Sequence, residues 1–354
     1  MTKKQLSRRD FLRLTAVGAG ALAMSACGAD EPQETVTPPT PKTTKTPLPT
    51  ATETPVPTIA SLAEPTAEQQ STSEAEPTAT ATEVPPPELV VVRNAEPDEL
   101  VRTALDAIGG MKRFVFAGAD VIIKPNICVD FRTYEWGATS NPWVVGALVK
   151  LAFEAGAARV RVMDQTWKRN MTKSYQKSGI QEQVEANGGE MEWMPLEKFV
   201  ETPAPLGVEL TSFKIYEAIL NTDVFINVPV AKHHMNAKLT LAMKNLMGVI
   251  GDRPVIHDNF EQRIADLASA ITPTLNVMDA VRVMKKNGPM GFFKRDTHKM
   301  DTVIVSTDMV ALDAYTTRLF DMRPEDLDYV VRAAEMGLGR MDLENLRIEE
   351  IDLA

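Results

Sequence analysis

From about residue 88 onward, short apolar runs rich in β-branched residues recur: Leu89–Val92, Val121–Ile123, Arg159–Met163, Val224–Val228, Leu275–Met278 and Val303–Val305. Between them the apolar positions open out to a helical period, over Pro97–Ile108, Pro142–Ala155, Ser174–Ala186, Lys238–Met247, Asn259–Ile271 and Met309–Phe320. Continuous apolar strands are what a sheet buried on both faces requires. Start signals such as Asn141-Pro142 and Thr307-Asp308 fit helix N-termini. The alternation predicts an α/β fold of three layers, a mostly parallel sheet with helices on both faces.

Before residue 88 the pattern is of another kind. Ser7-Arg8-Arg9-Asp10-Phe11-Leu12-Arg13 leads into an apolar run from Leu14 to Ala26, which is too short to span a bilayer. A basic start, a short apolar stretch and small residues before a cut describe an export signal. The stretch resembles the twin-arginine (Tat) signal, with Arg8 and Arg9 as the paired arginines and Arg13 in place of the usual lysine. That resemblance implies the Tat export machinery as a partner. Met24-Ser25-Ala26-Cys27 resembles a lipobox, which would make Cys27 the lipidated N-terminus; simple cleavage beside an incidental cysteine is the alternative. Residues 28–87 hold 13 prolines and 15 threonines and no aromatic residue, so they cannot bury enough apolar surface to fold. They predict a disordered tether of about 45 Å as a flexible coil. The expected organisation is therefore residues 1–26 as signal, 27–87 as lipidated cysteine and linker, and 88–354 as the folded domain. The expected location is exported, lipid-anchored through Cys27 at the outer face of the cytoplasmic membrane or in the cell envelope.

Charge narrows the partners. The chain carries a formal −10, and five basic residues against one acidic residue precede position 27, so the rest carries about −14. No basic stripe with interleaved aromatics occurs, which argues against nucleic acid. Past Cys27 only Cys128 remains, too few thiols for an internal disulfide or an iron–sulfur cluster.

In open parallel sheets ligands bind at the carboxyl ends of the strands. The residues just past the expected strands are Lys124-Pro125-Asn126, Asp164-Gln165-Thr166, Lys232-His233-His234, Asp279 and Ser306-Thr307-Asp308. Five polar sets converging on one rim would form a site. The alternative is that these are helix caps and solvated turns, above all Asp164 and Asp308.

These residues also carry a resemblance. Ile122-Ile-Lys-Pro-Asn126, Asn221 to Pro229 (NTDVFINVP), Lys238 to Val249 (KLTLAMKNLMGV) and Ser306 to Ala314 (STDMVALDA) are similar to the prokaryotic family called domain of unknown function 362. The resemblance covers about residues 90 to 340 and implies an α/β domain, with no established activity. Many family members add a ferredoxin-like cluster module, for which this chain has no cysteines. Where relatives often read Gly-Pro-x-Gly-Gly, this chain has Gly288-Pro-Met-Gly-Phe292. A fainter similarity is to the nickel-pincer lactate racemases, in a strand, then a histidine (His233 or His234), then a lysine (Lys244) on the next helix.

Val228 to Thr240 reads VPVAKHHMNAKLT and holds two of the four histidines. Pro229 should end the strand, placing Lys232 to Met235 in a loop. A divalent metal would need a third ligand, so the metal expectation is His233, His234, His257 and Asp279 together. Without metal, Lys124, Lys232, Lys238 and Lys244 suit a carboxylate or phosphate. Lys124, Asn126, Lys232, Asn245, Ser306 and Asp308 are the expected ligand contacts; His233, His234, Lys244 and Asp164 are the expected acid–base groups. In the alternative, the two histidines only bond the backbone. Thr240 and Lys244 are expected on one helix face, and the Gly248 to His257 segment as a lid. Two functions follow. One is a metal- or cofactor-assisted enzyme on a small anionic substrate, and the other a surface lipoprotein that binds a small anion without chemistry.

Overall fold

The computed structural model describes residues 85–167 and 170–354. The expected signal, Cys27 and most of the linker lie outside the described residues.

The six expected strands all form, as β1 (Leu89–Arg93), β2 (Asp120–Pro125), β3 (Arg159–Val162), β7 (Val224–Val228), β10 (Leu275–Met284) and β11 (Thr297–Ser306). Shorter strands join them: β4 (Glu190–Met191), β8 (Val230–His234), β9 (Lys238–Thr240) and β12 (Ile348–Asp352). The main sheet runs β12-β1-β11-β10-β7-β2-β3-β4, with β8 and β9 branching from β10. Every strand of this path is parallel except β11, which is antiparallel to both neighbours. A separate hairpin pairs β5 (Phe199–Pro203) with β6 (Ser212–Tyr216).

The strands alternate between two cores, as period-2 geometry requires. Val90, Val92, Val121 and Ile123 face one cluster with Leu100, Leu148 and Val184 from α1 (Pro97–Ala107), α2 (Pro142–Glu154) and α4 (Ile180–Ala186). Leu89, Val91, Ile122 and Ile304 face the other, with Leu246, Ile264, Leu312 and Val330. That second layer contains α6 (Ala242–Asn245), α7 (Phe260–Ala270), α8 (Met309–Thr316) and α9 (Asp328–Glu335). The remaining helices are α3 (Met171–Ser178) and the short α5 (Glu217–Asn221). The fold is the three-layer α/β architecture that the pattern predicts.

Four local expectations differ. Ser174–Ala186 is two helices, because Gly179 adopts a left-handed φ of +79° between α3 and α4. Lys232 to His234 are not loop; after Pro229 the chain re-forms a strand that pairs with β10 and β9. The expected helix Lys238–Met247 begins as β9, so Thr240 shares no helix face with Lys244. Only Ala242–Asn245 is α-helical, continued by a 3-10 turn over Leu246–Val249. Propensity favoured helix there; pairing with β8 decides otherwise. The segment expected as a lid is a 3-10 helix, Arg253–Asp258, with Ile256 buried.

Candidate functional site

A cavity of about 300 Å³ opens beside the carboxyl ends of β2, β3 and β8. Lys124 leaves the end of β2 and is 1% exposed. Its Nζ lies 2.8 Å from Asp164 Oδ1, just past β3. That contact is an ion pair between buried side chains. Asp164 Oδ2 accepts from the Ile127 amide at 2.6 Å. Burial lowers the Lys124 pKa and raises that of Asp164, and their contact opposes both shifts. Gly248 is required here: a Cβ would collide with Asp164 Oδ1 and Lys124 Nζ.

A network of amides ties this pair to its neighbours. Lys124 Nζ donates to Asn245 Oδ1 (3.0 Å), and Asn126 Nδ2 donates to the same oxygen (2.9 Å). Lys232 Nζ donates to Asn126 Oδ1 (2.8 Å) and to the Ala138 carbonyl (2.6 Å). Asn245 Nδ2 donates to Asn227 Oδ1 (2.8 Å), and Asn227 Nδ2 to Asn276 Oδ1 (3.0 Å). The side chains are thus held in place from β2, β7, β8, β10 and α6. Arg253 closes one side, donating to the carbonyls of Gln165 (2.8 Å) and Thr166 (2.7 Å).

Lys244 is the exception to this pairing. It is 8% exposed, and its hydrogen-bond and ring partners among the described residues are Met247 Sδ at 3.6 Å and the Phe260 ring at 5.4 Å. Burial, with Lys232 as the next cause, lowers its pKa to about 7. Its placement depends on Asp313 of α8, whose carboxylate accepts from the Ala242 and Met243 amides (2.6 and 3.1 Å) and so caps α6. Burial raises the Asp313 pKa to about 8.

The paired histidines divide their work. His234 lines the cavity, and its Nδ1 accepts from the Asn236 and Ala237 amides, both at 3.2 Å. The proton therefore sits on Nε2, and burial, aided by Lys244, depresses the pKa to about 2, keeping the ring neutral. His233 Nδ1 accepts from the Gly288 amide at 3.2 Å, and this residue does not line the cavity. His257 does line it; its Nδ1 lies 3.1 Å from the Arg253 carbonyl, which can only accept, so Nε2 offers a lone pair. His234 and His257 flank the Phe260 ring, at 5.8 and 4.8 Å between centroids.

Of the expected residues, Lys124, Asn126, Asp164, Lys232, His234, Lys244, Asn245 and His257 line one cavity. Four do not. Asp279 accepts from the Asn141 and Val281 amides (2.6 and 3.0 Å), anchoring the start of α2. Burial raises its pKa to about 6. Ser306 Oγ donates to the Glu88 carbonyl (2.8 Å), and Asp308 caps α8 through the Val310 and Ala311 amides (2.8 and 2.9 Å). β11 is reversed, so its carboxyl end pairs with the start of β10 rather than joining the rim. Lys238 likewise turns away, donating to the Asp326 carbonyl. The metal set does not assemble: among the described residues no three His, Cys, Asp or Glu side chains are grouped to hold an ion.

Sequence reading missed Arg253, Cys128 and Asp313 as parts of the site; the lining also holds two buried groups, Gln165 Oε1 and Thr240 Oγ1, which have no hydrogen-bond partner among the described residues. Gln165 follows Asp164 directly, and the sequence places it with Asp164 at that strand end. Asp313, on a distant helix, carries no such signal.

A family model described as domain of unknown function (DUF362) matches residues 121–318. A thylakoid-associated protein of Synechocystis sp. is 26% identical over 257 residues, covering 68% of this chain and 74% of that protein. Among solved structures, the lactate racemase apoprotein of Thermoanaerobacterium thermosaccharolyticum aligns at a TM-score of 0.32 and 8% identity, over 60% of this chain and 53% of that one. A protein of Thermotoga maritima aligns at 0.34 and 11% identity, over 68% and 58%. The chain spans a little over half the length of these two structures.

Proposed function

The chain belongs to the domain of unknown function (DUF362) family, and from that membership and the cavity's geometry we propose an enzyme acting on a small anionic substrate. One observation carries the reading. Lys232 and Lys244 line the cavity beside Lys124, and the one carboxylate among the described lining residues, Asp164, is already engaged by Lys124. Positive charge is left over in a low-dielectric pocket, where an anion with acceptor oxygens would relieve it. The Thr240 hydroxyl, which has no hydrogen-bond partner among the described residues, can donate to such an anion, while the Gln165 Oε1 acceptor would suit a donor elsewhere on the ligand. Lys244, with a pKa near 7, supplies a group able to take up or release a proton at neutral pH. His234 offers a neutral Nε2–H donor beside it.

The N-terminal segment extends the proposal to location. Arg8-Arg9 with Cys27 supports Tat export followed by lipid anchoring, and the Pro/Thr-rich stretch supports a tether holding the domain off the membrane. The thylakoid association named for the Synechocystis relative is consistent with membrane attachment. Changing Cys27 to serine should release the protein from the membrane fraction; retention there would end the anchoring idea.

The site is tested by calorimetric titration of the purified domain with phosphate, acetate and pyruvate. Saturable binding of at least one is expected, weakened about tenfold or more by Lys232→Met, as loss of a charge-assisted contact implies. Absence of saturable binding by all three would overturn the anion reading.

A further inference from the structure

We propose that Lys244 is a carbonyl-capturing residue, forming an imine with an anionic aldehyde or ketone such as a 2-oxo acid. This rests on the anion reading and names the substrate class and the covalent step.

The surroundings of Lys244 differ from those of every other cation in the cavity. Lys124 has Asp164 and the Asn245 oxygen, Lys232 has the Asn126 and Ala138 oxygens, and Arg253 has two carbonyls. Lys244 has a thioether and an aromatic face, neither of which holds an ammonium in the way a carboxylate does. An amine buried among like charges without an oxygen partner is held ready as a nucleophile, because its lone pair is not committed to a proton. The lowered pKa given above agrees with this. Burial lowers the pKa of Lys124 and Lys232 as well, so what sets Lys244 apart is its partners: the other two meet oxygens, and Lys244 meets sulfur and a ring.

The rest of the lining suits the other end of such a substrate. Lys232, which has no carboxylate partner among the described residues, presents positive charge for a carboxylate. His234 Nε2–H can donate to the carbonyl oxygen, and its neutral state prevents it from adding a further charge against the amine. His257 lines the cavity on an exposed ring, with Nδ1 facing the Arg253 carbonyl and Nε2 left outside that contact.

The step balances without an external reagent. The Lys244 nitrogen lone pair forms the C–N bond, and the carbonyl π electrons move to oxygen. One proton passes from nitrogen to that oxygen. A second, delivered through His257 from solvent, converts the hydroxyl into water, which leaves as the C–O bond breaks. The product is a protonated imine on Lys244 plus one water. No oxidant or reductant takes part.

The test is trapping. The protein is incubated with pyruvate and sodium cyanoborohydride, and intact mass and peptide mapping locate the adduct. The expected result is one reduced adduct per chain, on the peptide containing Lys244, suppressed by excess phosphate and absent from Lys244→Met. Lys244→Arg, which keeps the charge, should also give none, and circular dichroism shows that both variants are folded. A wild-type protein that binds pyruvate in the calorimeter yet gives no Lys244 adduct overturns the imine while leaving the anion reading intact. Failure to bind pyruvate, phosphate or acetate overturns both. Labelling spread over surface lysines and unchanged in Lys244→Met also overturns the imine.

Discussion

The carboxyl ends of β2 and β3 and the carboxyl end of β11 carry the same kinds of side chain and use them differently. At β11, Ser306 and Asp308 spend their hydrogen-bonding capacity on the backbone: the Glu88 carbonyl, the first turn of α8 and the Arg340 amide at 2.8 Å. Nothing is left over, and the residues are caps. At β2 and β3, Lys124 and Asp164 neutralise one another, but Lys232 and Lys244 face the open volume with no carboxylate partner among the described residues. What separates a cap from a site is this remainder, not the polarity of the residues. The reversal of β11 is the cause, since it turns one strand end away from the rim where the others meet.

Breaking the engaged pair should have the largest effect. Asp164→Asn leaves the Lys124 ammonium buried without its counter-charge, and should cost about 3–5 kcal/mol in denaturant unfolding. A cost under about 1 kcal/mol would mean that Lys124 does not depend on Asp164 as an ion.

The unengaged lysine should behave in the opposite sense. Its pKa is lowered from 10.5 to about 7 on folding, so between those values the unfolded chain holds the extra proton. The stability penalty is therefore complete below about pH 7 and fades as pH rises toward 10.5. Lys244→Met removes it and should raise stability by an amount on the order of 5 kcal/mol at pH 6, shrinking to little at pH 10. Thermal melts of the two proteins across this range measure it; a difference independent of pH would show that Lys244 is not deprotonated by burial.

The smallest effect belongs to the other strand end. Asp308→Ala should lose about 1 kcal/mol of helix capping and leave anion binding unchanged. A tenfold loss of binding in that variant would erase the distinction between the two regions.

Period and composition of the sequence were enough to predict the architecture and six of the strands, because strands buried on both faces must be apolar throughout and helices between them must be amphipathic. Lys124, Asp164 and Lys232 could be nominated from strand-end position alone, and Lys244 from the helical segment that follows. Several relations could not. The direction of β11 depends on pairing with β10, which no local pattern encodes, and it moved Ser306 and Asp308 from expected contacts to caps. The strand β8 follows a proline that locally argues for a loop, yet pairing with β10 and β9 restores it. Asp313 reaches Lys244 only through α6, 71 positions away from Ala242 in the chain.

The amino-acid sequence by itself determined that this domain would be a layered α/β structure with lysines at its strand ends, since burial and periodicity act locally along the chain. Which lysine found a carboxylate and which was left against sulfur and an aromatic ring was decided only by the tertiary structure. Charge pairing is set by distances between elements far apart in sequence, and those distances exist only once the sheet is assembled.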